Sequence, residues 1–174
     1  AHSLKVDVLE LRHSQPRHPD WPAKRDLYVN FRKTLDPDPD VNFKAIPRKQ
    51  RAEVRKGFKR GLSSVSNSDV ATLHRVYAES VRNLGSPVFP RRYFQALVEA
   101  FPDAHDITTV LHQGDAVASV LNFHFRDQVL PYYGGGTLAA RGLSANEVMY
   151  FEVMRRAGME RGAKSFDFGR SKLG

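Results

Sequence analysis

The closing strand of the chain has the residue types of a binding or catalytic site. Segment 166–172 alternates two phenylalanines with Asp167, which is the period of a strand that buries one face. Gly169 then allows a turn, and Arg170 and Lys172 add two cations. Because α/β folds bind ligands at the carboxyl ends of strands, this pattern predicts a site. A solvated basic tail, with Asp167 pairing with Arg170 to fix the turn, is the alternative.

A second candidate is the basic segment 44–60, which carries eight lysines and arginines against Glu53 as its one acid. Helical spacing from Arg48 to Arg60 places four of the cations on one stripe with no acidic partner four residues away. This self-repulsion favours a bound anion, although a solvated helix face explains the same pattern. The predicted donor-phosphate residues of this helix are Arg48, Arg51, Arg55 and Lys56.

A third candidate is the run Tyr132-Tyr133-Gly134-Gly135-Gly136 at the end of a predicted strand. Ser144 and Glu147 then form a capping box for a long helix. A strand, a glycine-rich loop and a helix amino terminus can hold a phosphate on free amides, while a mobile loop is the alternative. The spacing is that of neither a Rossmann nor a Walker loop. Strand alternation puts the tyrosines on opposite faces, and Tyr133 is the catalytic candidate.

Composition excludes several other chemistries. The 174 residues are 41% hydrophobic, enough for one core and part of another. The formal net charge is +8, and no cysteine is present, which excludes disulfides and thiolate chemistry. No apolar run predicts a membrane span or a leader, so we expect a cytoplasmic protein. Asp36, Asp38 and Asp40 lack the glycine and glutamate of a calcium loop, and Ser144 lacks a nucleophile elbow. We therefore expect no metal.

Periodicity predicts an α/β order of elements in which three consecutive strands are antiparallel. The predicted strands are 4–11, 27–35, 107–112, 116–125, 129–133 and 164–168. The predicted helices are 48–60, 68–85, 91–101 and 144–161, with loops at 13–22 and 61–67.

The order of these motifs resembles the FemAB-like proteins, and more narrowly their exopolysaccharide and PEP-CTERM-associated branch. The resemblance rests on 48–57, Leu84 to Phe94, Pro131 to Gly136 and Phe166 to Lys172. It covers residues 41–174, while 1–40 are similar to the closing strands of a preceding GNAT-like domain or form an amino-terminal extension.

The resemblance implies a GNAT-like fold, a mixed and largely antiparallel sheet flanked by helices. It implies acyl or aminoacyl transfer from acyl-CoA or aminoacyl-tRNA to an amine or hydroxyl of a cell-envelope or exopolysaccharide-related acceptor. The site residues that we take from it and from the patterns above are Tyr133, Asp167, Arg170 and Lys172 for catalysis and Gly134, Gly135 and Gly136 for the donor.

Two departures from the family pattern matter. The usual pyrophosphate loop is missing after the third strand, which weakens an acetyl-CoA assignment. The family motif also continues beyond Gly174, so we expect a carboxyl-terminally truncated domain, and activity of this chain by itself stays open. Two other functions stay open: an RNA-binding module that uses helix 48–60, and a non-catalytic scaffold in polysaccharide export. The acceptor, the acyl group and the oligomeric state are not predicted.

Overall fold

A computed structural model describes residues 3, 5–13 and 17–173. The chain divides into two compact units, Phe31–Gly169 and a smaller one formed by Ala1–Asn30 with Arg170–Gly174. The predicted domain boundary after residue 40 stays a prediction.

Six strands form one mixed sheet. They are β1 (Tyr28–Thr34), β2 (Leu62–Asn67), β3 (His105–His112), β4 (Asp115–Phe125), β5 (Gln128–Gly136) and β6 (Ser165–Lys172). Their order is β1-β6-β5-β4-β3-β2. Strands β2 to β5 pair antiparallel in succession, and β5 pairs with β6 in parallel.

Helices cover both faces of the sheet. They are α1 (Pro39–Lys44), α2 (Arg48–Lys59), α3 (Val70–Asn83), α4 (Arg91–Ala100), α5 (Leu138–Leu143) and α6 (Ala145–Arg161). Val148 of α6 packs with Val120 of β4 in one buried cluster, whereas Phe94 of α4 packs with Leu121 in another. Because Val120 and Leu121 are consecutive strand residues, the clusters lie on opposite faces, here called the α6 face and the α3/α4 face.

The predicted fold class is confirmed, because the sheet is mixed, largely antiparallel and flanked by helices. The helices predicted at 48–60, 68–85, 91–101 and 144–161 are confirmed within a few residues, as is the hairpin of β3 and β4. Gly162 ends α6 with a φ of 62°, a left-handed conformation that glycine adopts without strain.

Two predictions of local structure are wrong. Lys5–Leu11 of the predicted strand 4–11 form no strand, and Leu4 lies outside the described residues. The predicted linker 61–67 contains the edge strand β2 instead. Helix α1 follows the proline-rich segment, where no element was predicted; Pro39 occupies its first turn and the Asp38 side chain accepts from the Asp40 N–H.

The predicted capping box at Ser144 is also wrong. Ser144 precedes α6 with a φ of 59° and makes no side-chain cap. Its hydroxyl instead donates to Glu53 of α2 at 2.8 Å. This hydrogen bond joins the start of α6 to α2, so Ser144 has a packing role.

Candidate active site

The two parallel strands of the sheet part soon after they begin. β5 and β6 share two register pairs, Gln128 with Ser165 and Val129 with Phe166. Beyond them β5 stays paired with β4 as far as Gly136, but in the described residues it has no further register pair with β6. Backbone groups along this opening are therefore available to a ligand. The opening lies towards the carboxyl ends of both strands, where the sequence predicts a site.

A β-bulge in β5 places two tyrosines at this opening. Leu121 pairs with Tyr133 and Asn122 with Pro131, so Tyr132 is an extra residue on β5. The bulge interrupts the alternation of side chains, and the rings of Tyr132 and Tyr133 lie 4.7 Å apart at 86°. The prediction that these two tyrosines occupy opposite faces is therefore wrong.

The Tyr133 hydroxyl is held within an aromatic cluster on the α3/α4 face. Its ring makes edge contacts with Tyr77, Tyr93 and Phe94. The Tyr93 and Tyr133 hydroxyl oxygens are 2.9 Å apart. Burial and this hydrogen bond raise the pKa of Tyr133 well above its ordinary value. The phenol therefore stays protonated near neutral pH, where it can donate a hydrogen bond but is a poor general base.

The three glycines belong to strand β5, so the alternative of a mobile loop is wrong. A Cβ at Gly134 would lie 2.7 Å from the Val120 Cβ. A Cβ at Gly135 would overlap Ser80 of α3, and one at Gly136 would lie 2.6 Å from the Ala140 Cβ. Close packing on both faces therefore requires these glycines, whatever else they do.

The direction of the backbone amides identifies which glycines face the opening. The Thr137 N–H donates to the Val117 carbonyl of β4 at 2.8 Å. Backbone groups alternate in direction along an antiparallel strand, so Gly135 faces β4 while Gly134 and Gly136 face away from it. Their N–H and C=O groups point towards the side on which β5 and β6 separate.

The Leu138 amide, the second after the glycine run, already has an anionic partner. The Leu138 N–H, at the start of α5, donates to Oε1 of Glu79 at 2.9 Å. A phosphate placed at this amide would meet the negative charge of the carboxylate. The predicted phosphate site after the glycine run is therefore partly filled by the protein's own side chain.

Asp167 fixes the turn that follows it. It is 6% exposed, and its Oδ1 accepts from the Gly169 N–H at 2.8 Å. Its Oδ2 accepts from Nε of Arg32 in β1 at 2.9 Å. Gly169 has a φ of 80°, which explains the glycine at this position. Both carboxylate oxygens are therefore used in holding backbone and an arginine, and a catalytic role for Asp167 stays a prediction.

Arg170 and Lys172 belong to the smaller compact unit and are exposed. The Arg170 guanidinium lies 3.9 Å from the centroid of the Tyr28 ring, a cation–π contact within that unit. The catalytic role predicted for these two cations stays a prediction.

The cations of α2 are partly engaged in joining helices. Nη1 of Arg51 donates to the Lys44 carbonyl at 2.6 Å, and the Arg55 guanidinium lies 5.1 Å from the centroid of the Phe43 ring. These contacts tie α2 to the end of α1. Arg55 nevertheless remains exposed, so its charge is still available to an anion.

The position of α2 separates it from Tyr133. Gly57 of α2 packs closely on Val148 of α6, where a Cβ at residue 57 would lie 2.5 Å from the valine. The helix therefore lies on the α6 face, whereas Tyr133 lies on the α3/α4 face. Arg48 and Lys56 are exposed on this helix, and Lys56 donates to Glu53 at 2.7 Å.

Charged residues beneath α6 pair with one another. Glu152 of α6 accepts from Nη2 of Arg155 at 2.9 Å, and Asp106 of β3 binds His124 and Nδ2 of Asn122. Burial raises the pKa of both carboxyls, but the hydrogen bonds outweigh it, so both pKa values lie below their usual range. These groups are arranged to hold the sheet and helix together.

Neither a metal cluster nor a membrane span is found in the part of the chain that the structure describes. No group of three or more His, Asp or Glu side chains there could hold a metal ion. No helix there is long and apolar enough to cross a membrane.

A mixed sheet with parting β5 and β6 strands, and helices on both faces, defines a GNAT-type transferase fold. Residues 48–173 match the family described as acetyltransferase (GNAT) domain, and the chain belongs to this family. The family supports acyl transfer.

Solved structures agree with this assignment. FemX has a TM-score of 0.78 at 14% identity, over 86% of this chain and 55% of FemX. The carboxyl-terminal domain of a putative lysylphosphatidylglycerol synthetase from Agrobacterium fabrum gives 0.59 at 14% identity, over 84% and 49% of the two chains. L-PGS from Bacillus licheniformis gives 0.58 at 15% identity, over 84% and 48%. No curated protein sequence matches significantly.

The chain thus spans about half the length of these three structures. The FemAB-like resemblance is confirmed by the match to the GNAT family and by the fold shared with FemX, whereas the exopolysaccharide branch stays a prediction.

Three residues of the site were not singled out from the sequence. Tyr93 lies on α4 next to the buried Phe94, and Arg32 lies on β1, far from Asp167 along the chain. Glu79 of α3 reaches Leu138, 59 residues further along the chain. Long-range pairs of this kind leave no local pattern, although Tyr93 lies within the segment from Leu84 to Phe94 that carries the family resemblance.

Proposed function

We propose that this domain transfers an aminoacyl or acyl group from an activated donor to an amine or hydroxyl acceptor at the opening between β5 and β6. The observation that carries the proposal is the early end of β5–β6 pairing. The opening offers the backbone of Gly134 and Gly136 to a ligand, and the Tyr133 phenol is the proposed hydrogen-bond donor to a carbonyl oxygen.

In this reaction the acceptor nitrogen or oxygen attacks the donor carbonyl carbon. The new bond forms as the bond to the leaving sulfur or oxygen breaks, and the acceptor proton passes to the leaving group. Binding energy that orients the two substrates supplies much of the rate, so a strong nucleophile is not required in the protein.

Between the two donors, we favour aminoacyl-tRNA over acyl-CoA. The Glu79 carboxylate accepts from the Leu138 amide, the second after the glycine run, which disfavours a pyrophosphate there. The family's usual pyrophosphate loop is also absent from this sequence. One protein of similar fold is named a lysylphosphatidylglycerol synthetase, and that name denotes an aminoacylated product.

We further propose that the exposed cations of α2 hold the phosphate backbone of the donor at a distance from the reacting ester. Arg48, Lys49 and Lys59 are exposed, and Arg55 keeps an exposed guanidinium over Phe43. A polyanionic donor that reaches from one face of the sheet to the other has to be large, as tRNA is. Arg170 and Lys172 are proposed as additional donor or acceptor contacts.

Thermal unfolding with three ligands tests this proposal. We expect aminoacyl-tRNA to raise the free energy of unfolding by about 2.7 kcal/mol at a hundredfold excess over its Kd. We expect uncharged tRNA to have a smaller effect because it lacks the ester, and acetyl-CoA to have the smallest. A dominant effect of acetyl-CoA would reverse the donor assignment.

Charge reversal on α2 tests the role of its exposed cations separately from the role of the opening between β5 and β6. Arg48→Glu should weaken tRNA binding and its salt dependence while leaving any binding of acetyl-CoA unchanged. Lys164→Glu changes an exposed lysine outside α2 and serves as the matched control. Equal effects of the two charge changes would contradict a specific role for α2.

Binding of bulk RNA as tightly as charged tRNA would favour the alternative of an RNA-binding module. Absence of transfer in the whole protein, with every donor, would favour the scaffold alternative. A cell-envelope acceptor and a cytoplasmic location remain part of the proposal.

A further inference from the structure

The loop between α3 and α4 exposes apolar side chains. Residues 84–90 contain no helix or strand, and Leu84, Val88 and Phe89 are 71%, 38% and 46% exposed. Apolar surface in water costs free energy, and three such side chains in one short loop indicate a surface that another molecule covers. The same loop lies in the segment that carries the family resemblance, and the proposed function gives it no role.

The loop is held in place at both ends. At its start, the Ser86 N–H donates to the Val81 carbonyl at 3.1 Å, and Gly85 ends α3 with a φ of 71°. At its end, the Phe89 carbonyl oxygen lies 3.0 Å from Nε2 of His74 on α3. Two prolines within the loop restrict its backbone further. The apolar side chains are therefore presented to solvent by a fixed backbone.

Arginines surround this apolar loop. Arg82 lies in the last turn of α3, Arg91 and Arg92 begin α4, and all three are exposed. No acidic residue occurs between Glu79 and Glu99 in the sequence. Among the residues that the structure describes, no carboxylate forms an ion pair with any of the three arginines. The loop and its flanks therefore carry three positive charges that the protein does not balance.

The position of Arg91 and Arg92 does not stabilise their own helix. The first turn of α4 has no acidic residue, and the helix has no side-chain cap. The partial positive charge of a helix amino terminus repels cations, so the two arginines cost helix stability. An external anion offsets this cost, which favours an anionic partner for the surface.

The side chains of the loop distinguish between anionic partners. Single-stranded nucleic acids bind basic surfaces through bases that stack on aromatic rings, but Leu84 and Val88 are aliphatic and have no ring to stack. Acyl chains accept aliphatic and aromatic side chains alike, and arginines around them reach the phosphates of lipid headgroups. The combination favours a membrane surface that contains anionic lipids.

We infer that residues 84–90, here called the docking loop, bind this domain to an anionic lipid surface. The three apolar side chains enter the boundary between headgroups and acyl chains, while the three arginines bind lipid phosphates. The contact is peripheral and reversible, because three side chains bury far less apolar surface than a spanning helix. The inference stands whether or not transfer occurs at the opening between β5 and β6.

The hairpin of β4 and β5 supplies a matched control. Phe125 is 70% exposed, and the Arg126 guanidinium lies 5.2 Å from the centroid of its ring. Phe125 pairs with Gln128 at the start of β5, whereas Ser80, near the end of α3, packs against Gly135 at the other end. Residues 128 to 135 of the strand span roughly 20 Å. We expect a bilayer that receives the docking loop to leave the Phe125 ring in water.

The fluorescence of a single tryptophan reports insertion at either surface. The variants are Trp21→Phe/Leu84→Trp for the docking loop and Trp21→Phe/Phe125→Trp for the hairpin. The vesicles are phosphatidylcholine alone or an equimolar mixture with phosphatidylserine, each with and without brominated acyl chains, which quench only an inserted ring. With the mixed vesicles we expect W21F/L84W emission to shift to the blue and to be quenched. We expect W21F/F125W emission to stay unchanged and neutral vesicles to have a smaller effect.

Co-sedimentation with the mixed vesicles measures the contribution of the arginines. Arg92→Gln should lower the partition coefficient about fivefold, which corresponds to about 1 kcal/mol for one arginine at an anionic surface. Arg126→Gln, at the hairpin, should leave it unchanged. The exposed cations of α2 also attract anionic vesicles, so the quenching identifies the surface and the partition measures its charge dependence.

Three results would overturn the inference. One is W21F/L84W emission that brominated vesicles do not quench, whether or not the protein binds the vesicles. Another is equal quenching of the docking-loop and hairpin variants. The third is a blue shift of W21F/L84W that follows protein concentration without vesicles, which would assign the loop to a second copy of the chain. Quenching as expected without any transfer activity would refute the proposed function alone.

Discussion

The two faces of the sheet handle their polar groups in opposite ways. On the α6 face, charged side chains are matched within the protein, as Glu152 is with Arg155 and Asp106 is with His124. On the α3/α4 face the polar atoms are phenol hydroxyls among aromatic rings. The hydroxyls of Tyr93 and Tyr133 form one hydrogen bond with each other, and one of the two O–H groups remains available to donate. The first arrangement is complete without a ligand, whereas the second has a donor left to offer.

This contrast shows why buried charge by itself is a weak guide to function. The α6 face has the more perturbed carboxylates, yet their hydrogen bonds explain them as supports of the helix and sheet. The α3/α4 face has fewer ionisable groups, but it adjoins the place where β5 and β6 part. The predictions below test this division, beginning with the largest effect.

Removal of the central carboxylate of the α6 face should cost the most stability. Glu152→Ala leaves Arg155 and Ser64 without their partner and puts an uncompensated arginine beneath the sheet. We expect a loss of roughly 3 kcal/mol, the low end for a broken buried pair because Arg155 reaches solvent. Urea unfolding measures it, with the exposed Glu160→Gln on the same helix as control. A loss equal to that of the control would contradict the pairing.

Substitution of Gly135 tests the close packing of the α3/α4 face. A Cβ there overlaps the Ser80 side chain close to its backbone, so α3 has to move away from β5. We expect Gly135→Ala to cost about 2 kcal/mol in thermal or urea unfolding. Gly142→Ala, where no atom lies within 4 Å, should be neutral or slightly stabilising because alanine favours the helix. Equal values for the two variants would show that this packing is loose.

We expect the acid limb of the pH dependence of stability to depend on the α6 face and the alkaline limb to depend on the α3/α4 face. The pKa of Asp106 is lowered on folding, so its contribution is present above the ordinary carboxyl pKa and is lost as pH falls through the folded value. Asp106→Asn should therefore flatten the acid limb, by about 1 kcal/mol, below roughly pH 4.

The alkaline limb should depend on Tyr133. Its pKa is raised on folding, so its contribution is present below the ordinary phenol pKa and is lost as pH rises above roughly 10. Y133F should flatten the alkaline limb and leave the acid limb unchanged, with the free energy of unfolding measured by urea at each pH. If Y133F changed the acid limb and Asp106→Asn changed the alkaline limb, the contrast between the two faces would be contradicted.

The elements that the sequence predicted correctly are those with a full helical or strand pattern of apolar residues. Helices α3, α4 and α6 and the hairpin of β3 and β4 each bury enough side chains to show their period. Strand β2 was missed because Leu62-Ser63-Ser64-Val65-Ser66-Asn67 has only two apolar residues, which suffice for an edge strand. Segment 5–11, by contrast, was predicted as a strand and forms none. Alternation shows that one face of a segment is apolar, but it does not show that a partner strand is present.

The site was predictable in part. The turn at Gly169 followed from local spacing, whereas the roles of Tyr133 and the glycine run stay predictions. The bulge at Tyr132 did not follow from local spacing, because one extra residue in a strand has no signature without the register of its neighbour. Nor did the contacts of Tyr93 and Arg32, which arise only when distant segments meet in the fold.

Amide resonances of Gly134 and Gly136 measure ligand binding at the opening most directly. The protein, at 19.7 kDa, suits nitrogen–proton correlation spectra. The ligand is a short RNA hairpin that carries an amide-linked amino acid at its 3′ end, compared with the same hairpin without the amino acid. We predict that the aminoacylated hairpin shifts the Gly134 and Gly136 resonances and leaves Gly142 unchanged. Saturation that moves resonances of α2 but neither Gly134 nor Gly136 would contradict transfer at this opening.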